Sequence, residues 1–273
     1  EDQVSPTSGG LEVDGQVIRA AGDVLAWALS ISGIRVDRPR MTEAQAALSA
    51  YAIDAVIAAR CSPWEWVTRV LLPILPCSVA AGPDGLYIIP LFLDATEADA
   101  EARLDTRRPD VKRAGPLTWD TSKLVRTVTV RQKYNVRTSA YTSQVVYGSQ
   151  AAADRDPAAS TRPHPTLTAA AGFDLPGADL VVETAAVYET TTCALIGYTL
   201  ARIYGLPIGS LPFDVPEDDA RFSRLRRGSI VYAYDEDTGI DRVAQVYSIV
   251  TQGDGGLTVA VWFFLDPSRD SLS

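Results

Sequence analysis

The chain has 273 residues, of which 47% are hydrophobic and 22% are charged. This is the usual composition of a soluble globular protein, and the length is sufficient for two compact domains. Acidic residues outnumber basic residues by 34 to 25, which gives a formal net charge of −9. That balance argues against a protein that grips nucleic acid through a basic face. We interpret short basic runs such as 224–227 as solvated turns.

The three cysteines, Cys61, Cys77 and Cys193, match neither a disulfide framework nor a CxxC pair. We therefore expect buried free thiols and a reducing cytoplasm as the place of synthesis. The sequence has no apolar run near the ~20 residues of a membrane span and no signal-peptide pattern, so we expect no stable membrane insertion. Met41 is the only methionine and the sequence opens with Glu1, so we expect the native start to lie outside it.

The first part of the chain is predicted to be an N-terminal arm or strand, 1–20, followed by a domain of three helices and a hairpin, 21–94. Asp23 is expected to cap the first helix, which should end at Gly33. The second helix should begin after Thr42 and continue through the segment "EAQAALSAYAIDAVIAAR".

The third helix lies in the stretch "SPWEWVTRVLLPILP", with Ser62 as its cap and Pro63 at its first position. Its buried face is predicted to contain Trp64, Val67, Val70 and Leu71, with Trp66 on the flank. The following letters, "CSVAAGPDGLYIIP", predict two short strands joined by a β-turn.

The remaining chain is predicted to consist of a charged connector, 95–116, and an antiparallel β-barrel-like domain, 117–273. Within that domain we expect a long hairpin from "KLVRTVTVRQKYNV" and "AYTSQVVYG", a long surface loop at 149–180 and a helix near 184–204. Three strands should finish the chain. The predicted fold class is α+β, with N-terminal helices and a β-hairpin, then a mostly antiparallel β-barrel or sandwich region crossed by one helix.

The sequence contains no residue that we assign as catalytic, cofactor-binding or metal-binding. His164 is the only histidine, and its place between two prolines in "RPHPT" predicts an exposed loop residue. Glu65 lies beside two tryptophans, yet a glutamate in the first turn of a helix has an ordinary structural explanation. The chain contains no nucleotide-binding glycine pattern.

Two further sets of residues have a functional alternative. Asp235, Asp237 and Asp241 could donate oxygens to calcium, but they lack the spacing of an EF-hand, so we predict a solvated hairpin turn. Trp64 and Trp66 could stack on a sugar, and packing in a core or an interface is the preferred interpretation.

Several of these patterns, in their order, resemble tail-tip and baseplate hub proteins of tailed bacteriophages. They are "GDVLAWALSISGIRVD", "SPWEWVTRVLLPILPCSVAAGPDGLYIIP", "LVRTVTVRQKYNVRTSAY", "ETTTCALIGYTLARIYGLP" and the segment that begins with "FDVPEDDARFSRLRRGSIVYAYD". The similarity spans about residues 15–95 and 117–265. Each motif consists of structural residues, so the resemblance depends on their order along the chain.

The resemblance implies a structural protein of the virion and no enzyme. Such hubs form a trimeric ring that joins the tail tube and distal tail proteins to a central fibre or spike. DNA passes through the ring as cargo, and the assembled protein is located at the tail tip. The sequence departs from the family by showing one convincing barrel region where the family has two. It also lacks the cysteines for the metal cluster that some members of the family carry.

Two other functions remain open at this stage. One is a tail-associated cell-wall hydrolase that uses carboxylates, with Glu65 as the candidate acid. The other is a receptor-binding tail adhesin, for which the 149–180 loop would carry the specificity.

Overall fold

The computed structural model describes residues 11–13, 16–54, 61–155, 161–172, 178–253 and 255–266. It confirms the α+β class and includes a curled half-barrel sheet. The chain divides into two compact units that are interleaved in sequence. Unit 1 consists of Glu1–Pro90 and Val125–Arg202, and unit 2 consists of Leu91–Leu124 and Ile203–Ser273.

The first part of the chain contains three helices: α1 (Ala21–Ile31), α2 (Arg38–Ala47) and α3 (Pro63–Trp66). Helix α3 continues as a π-helical turn, Val67–Leu71. Three more follow the long hairpin of unit 1: α4 (Gln150–Arg155), α5 (Pro165–Gly172) and α6 (Thr190–Tyr204). Buried side chains of the first three helices form much of the unit 1 core, including Leu25, Leu29, Met41, Val67 and Leu71.

The strands of unit 1 form three small sheets. Two are antiparallel hairpins: β1 (Leu11–Val13) with β2 (Gln16–Ile18), and β3 (Cys77–Gly82) with β4 (Gly85–Pro90). The third contains β8 (Val125–Asn135), β9 (Ala140–Gly148), β10 (Thr161–Pro163) and β11 (Ala178–Glu183), in the order β10-β9-β8-β11. Its central pair is antiparallel, while both outer strands run parallel to their neighbours.

Unit 2 contains a seven-stranded sheet. Its strands are β5 (Ala102–Asp105), β6 (Lys112–Arg113), β7 (Thr118–Asp120), β12 (Ile208–Pro216), β13 (Ile230–Asp235), β14 (Ile240–Thr251) and β15 (Gly256–Phe264). Their order is β5-β13-β14-β15-β12-β6, with β7 also paired to β12. Alternate residues of these strands fill one core, in which Phe213, Phe222 and Phe263 are completely buried.

The first two helices both start at other residues than predicted, and α2 also ends earlier. Helix α1 begins before Asp23, which lies in its first turn and does not cap it; its predicted end at Gly33, where φ is +67°, is confirmed. Helix α2 begins earlier than Thr42 because the Asp37 side chain accepts a hydrogen bond from the Arg40 amide. It ends at Ala47.

The predicted continuation of α2 toward residue 60 is wrong over 48–54. The Tyr51 carbonyl accepts a hydrogen bond from the Ala21 amide at 2.8 Å, and the Ile53 amide donates to the Arg19 carbonyl at 2.7 Å. These bonds join the chain to Arg19 and to the first residue of α1, so these backbone groups are satisfied without a helix. Residues 55–60 of the prediction lie outside the described residues.

The third helix confirms the predicted cap. The Ser62 side chain accepts a hydrogen bond from the Glu65 amide at 3.0 Å, and Pro63 occupies the first position. Its buried face differs from the prediction, because Trp66 is buried and Trp64 is only half-buried. The π-helical turn that follows changes the angular spacing of the side chains, which the regular 3.6-residue period does not anticipate.

The elements of the later chain differ from the predicted boundaries in two places. The supposed connector, 95–116, contains β5 and β6, which join the seven-stranded sheet of unit 2. The supposed loop, 149–180, contains α4, β10 and α5 and leads into β11. The long hairpin β8–β9 lies in a separate sheet from the C-terminal strands, so residues 117–273 do not form one barrel.

Helix α6 also begins later than predicted, at Thr190. Cys193, Ile196 and Leu200 are buried, while Tyr198 is exposed. A Cβ atom at Gly197 would lie 2.9 Å from ring atoms of Tyr147 in β9, so a larger residue here would have to displace that ring.

Candidate interaction surface

His164 is buried, contrary to the prediction that it is an exposed loop residue. Its side chain is 1% exposed and caps α5: Nδ1 accepts a hydrogen bond from the Thr166 amide at 3.2 Å, and its carbonyl accepts one from the Thr168 amide. Its ring centroid lies 4.4 Å from that of Tyr198 and 5.9 Å from that of Tyr147. No local pattern around His164 predicts this burial, since both tyrosines are distant in the chain.

The surroundings of His164 favour its neutral form. Burial lowers the pKa of His164 to about 4, and the positive charge of Arg202 acts in the same direction. Contact with the backbone of Tyr198 acts in the opposite direction. The imidazole therefore serves as a neutral cap in the core of unit 1 near neutral pH.

Glu65 is an exposed helix residue and not a buried acid. Its carboxylate lies 3.0 Å from the guanidinium of Arg69, one turn later in the helical segment. An exposed pair at this spacing is a common surface interaction worth a few tenths of a kcal/mol. The contacts of Glu65 thus have an ordinary structural explanation.

The acidic turn at 235–241 is organised by hydrogen bonds within the protein. Asp235 is buried and accepts from both the amide and the hydroxyl of Thr238. The Arg113 side chain lies 3.4 Å from Asp235 and from Asp237. Asp241 accepts a hydrogen bond from the Tyr232 hydroxyl, so the three carboxylates do not converge on one point as calcium ligands would. Among the described residues, no group of three or more acidic, histidine or cysteine side chains could hold a metal ion.

The cysteines differ in exposure, and all three are free thiols. Burial raises the pKa of Cys77 to about 12 and that of Cys193 to about 11, so neither forms a reactive thiolate near neutral pH. Cys61 is exposed, which corrects the expectation that it is buried.

Arginine side chains stack on tyrosine rings at the edge of the unit 2 sheet that is formed by β5. The Arg103 guanidinium lies 4.5 Å from the ring centroid of Tyr232, and that of Arg107 lies 3.9 Å from Tyr234. Asp105 accepts two hydrogen bonds from the Arg107 side chain, which lowers the pKa of Asp105. These polar groups are already paired, so they supply a rigid surface and no reactive group.

A second surface of unit 2 lies on the outer face of its sheet, beside the Asp214 carboxylate, which accepts a hydrogen bond from Thr258. We define the outer patch as the six residues Tyr247, Ser248 and Val250 of β14, Pro212 of β12, and Thr258 and Ala260 of β15. They lie on the face of the sheet opposite the core, since the residues that alternate with them are core residues. The pairing register places Ala260 directly between Pro212 and Ser248.

Tyr247 is held across the outer patch. A β-bulge between Val246 and Ser248 leaves Tyr247 without a directly opposite residue on β15, and its hydroxyl lies 2.8 Å from the hydroxyl of Ser210. Because β14 and β12 flank β15, this side chain must extend over the middle strand. The small side chain of Ala260 leaves room for it and is itself only 9% exposed.

The described part of the chain has no helix long and apolar enough to cross a membrane. No protein-family model and no curated protein matches the sequence.

Several solved structures are similar to the chain in backbone arrangement, among them the following three. The 43 kDa tail protein of prophage MuSo2 from Shewanella oneidensis has 14% identity and a TM-score of 0.49, with 92% of this chain and 67% of that chain covered. The prophage tail protein gp18 from Listeria monocytogenes EGD-e has 14% identity and a TM-score of 0.32, with 72% and 50% covered. A chain from the virion of a native gene transfer agent particle has 15% identity and a TM-score of 0.31, with 71% and 33% covered.

Proposed function

We propose that this chain is a structural subunit of a phage tail or tail-like particle and that it acts by assembling with neighbouring subunits. The main support for the proposal is that the residues considered as candidate catalytic or metal-binding groups all have structural roles. His164 caps a helix, Asp235 organises a turn and Glu65 pairs with Arg69. The sequence resemblance over residues 15–95 and 117–265 supplies the class of assembly.

Within such a particle we place the chain at the tail tip, as a baseplate hub subunit in a ring, most simply a trimer. The ring joins the tail tube and distal tail proteins to a central fibre or spike, and DNA passes through it. The order of the hub-like motifs supports this finer assignment, and so does the net charge of −9, because an acidic channel wall would repel DNA. Two of the three similar structures are prophage tail proteins and the third belongs to a gene transfer agent virion; those names describe those proteins.

The proposal is tested by deleting the gene and examining the particles that the source cell releases. We expect tails that are absent or incomplete, and wild-type particles that contain the chain as a stoichiometric component by quantitative mass spectrometry. Complete, infectious particles from the deletion strain would overturn the proposal.

A complementation experiment separates this role from that of a cell-wall hydrolase. Glu65→Gln should restore both assembly and infection, because the exposed Glu65–Arg69 pair has only a minor structural role. Restored assembly without clearing of the cell wall would instead support the hydrolase.

A further inference from the structure

Strand β11 forms an edge of the four-stranded sheet of unit 1 that is open to pairing. It has six residues, and among the described strands it pairs only with β8. Exposed sheet edges are commonly short or carry proline or charged side chains, lysine above all, which discourage pairing with another chain. The other edge strands of the two larger sheets follow this rule: β10 has three residues and ends at Pro163, β6 has only two residues, and β5 carries Arg103. Strand β11 is longer, contains no proline or basic residue, and has a valine, Val181, that is 48% exposed.

The free backbone groups of β11 belong to alternate residues. The Thr184 amide donates to the Arg131 carbonyl at 3.0 Å, which continues the pairing with β8 beyond the end of β11. Because successive residues of a strand direct their backbone groups to opposite sides, those of Leu180 and Val182 also face β8. The groups that face away from β8 are those of three residues, which we call the β11 edge: Asp179, Val181 and Glu183. In the described part of the chain no backbone group bonds to them, so they offer donors and acceptors at the spacing of another strand.

The side chains of the β11 edge determine which strands it excludes. Glu183 lies 2.7 Å from Arg131, so its charge is matched within the sheet. The Asp179 carboxylate accepts a hydrogen bond from the Thr127 hydroxyl at 2.8 Å and forms no ion pair with a described residue. If two copies paired these edges around a two-fold axis at Val181, Asp179 of one would lie opposite Glu183 of the other, and like charges at such positions repel. A lysine or arginine opposite Asp179 would instead be attracted.

A second copy of the chain also lacks a suitable strand of another kind. Among the described edge strands, those with a basic residue are β5, β6 and β10, and they have only two to four residues. We infer that the β11 edge binds an extended strand of a neighbouring tail protein that carries lysine or arginine on its solvent face. The inference rests on the proposed role in a tail and names the kind of partner that this sheet holds.

The added strand continues both faces of the sheet. Its basic residues lie beside Asp179 on the solvent face, because residues opposite each other in neighbouring strands share a face. Its alternate, apolar residues lie beside Leu180 and Val182, which are half-buried and paired with the buried Val128 and Val130 of β8. Backbone hydrogen bonds supply the affinity, and the charge of Asp179 supplies selectivity.

The inference is tested on the full chain with two short probe peptides that alternate lysine and valine. One has free backbone amides, and the other has the same sequence and charge but N-methylated amides, which cannot pair with a strand. By nuclear magnetic resonance we expect the first peptide to slow hydrogen exchange at the amides of Asp179, Val181 and Glu183, and the second to leave it unchanged. The equal charge of the peptides separates strand pairing from simple attraction to an acidic chain.

Substitutions in β11 locate the binding surface. Val181→Pro removes an amide that faces away from β8, so it should weaken binding of the unmethylated peptide by about tenfold without removing a bond to β8. Val181→Thr keeps that amide and a β-branched side chain, so it should bind as the wild type does. Asp179→Asn keeps an oxygen for the Thr127 hydroxyl and removes the charge, so binding should weaken by about threefold. Thermal unfolding shows which variants retain the fold, and Asp179→Asn decides if Val181→Pro does not.

Several outcomes would overturn the inference. Neither peptide protects the three amides, both peptides protect them equally, or a folded Val181→Pro or Asp179→Asn chain binds the unmethylated peptide as tightly as the wild type.

A photo-crosslinking amino acid at Val181, in particles assembled in the cell, separates failure of this inference from failure of the proposed function. A crosslink to a lysine- or arginine-bearing strand of another tail protein supports the inference. A crosslink only to a second copy, to another segment of the same chain or to any other structure overturns it while the role in the tail stands, and so does the lack of a crosslink in particles that contain the chain. Absence of the chain from the particles overturns the proposed function, and the peptide measurement still decides whether the β11 edge binds a basic strand.

Discussion

The buried histidine predicts a specific loss of stability in mild acid. His164 is the only histidine in the chain, so no other imidazole titrates with it. Its pKa in the fold is about 4, against about 6.5 in an unfolded chain. As the pH falls below 6.5, His164 becomes protonated in the unfolded chain but stays neutral in the folded chain. The free energy of unfolding therefore falls, and this loss of stability is complete below pH 4.

The size of the effect follows from the difference between the two pKa values. The full difference corresponds to about 3 kcal/mol, and about 2 kcal/mol of it falls between pH ~7.5 and pH ~5. Carboxylates whose pKa is lowered in the fold, such as Asp105 and Asp219, lose their contribution at lower pH. The upper window therefore reports mainly on His164. A loss of 2 kcal/mol is a substantial share of the 5–15 kcal/mol that stabilises a typical domain.

Two measurements check this prediction. Nuclear magnetic resonance of the single histidine ring gives its pKa in the folded chain directly, and urea denaturation at several pH values gives the change in stability. His164→Phe should retain an aromatic ring between Tyr147 and Tyr198, and His164→Asn should retain a side-chain cap for α5. Both variants should lose the pH dependence between pH ~7.5 and pH ~5, whatever their stability at neutral pH.

The reasoning is refuted if the histidine titrates near 6.5 in the folded chain. It is also refuted if His164→Phe and His164→Asn show the same pH dependence as the wild type. Either result would mean that the imidazole is accessible to water and is not held as a neutral cap.

Three substitutions test other parts of the structure by urea denaturation. Gly22→Ala would place a Cβ atom 2.4 Å from the Cα of Gln45, so the α1–α2 contact must open and we expect a loss of about 1–3 kcal/mol; an unchanged midpoint would contradict this close packing. Phe213→Ala should cost about 3–5 kcal/mol, because Phe213 is completely buried in the unit 2 core, and a loss below 1 kcal/mol would mean that this core is poorly packed. Glu65→Gln should change the free energy of unfolding by less than about 0.5 kcal/mol, and a larger loss would show that the pair with Arg69 has a role beyond the surface.

Local signals in the sequence predicted many of the elements correctly. Gly33 ends α1, Ser62 caps α3, and the turn "GPDG" joins β3 to β4. The C-terminal strands β13, β14 and β15 also lie where the alternation of residues placed them. These features depend on residues within a few positions of each other, which is the information that a sequence pattern contains.

The errors arose where distant residues decide the outcome. His164 is buried because Tyr147 and Tyr198 pack around it. Strand β5 was not predicted because its segment is rich in charged residues, and the structure shows that the arginines among them pack on tyrosines of β13. The outer patch was also missed. Its members come from three strands, and only the register of those strands brings them together.

We propose that this chain is a structural part of a tail and that it works by contact with its neighbours. Gold-labelled antibody against the chain, imaged by electron microscopy on intact particles, tests it most directly. We expect label at one end of the tail tube in every particle, at the end away from the capsid. Label distributed along the tube or on the capsid, or particles that carry none, would contradict the account.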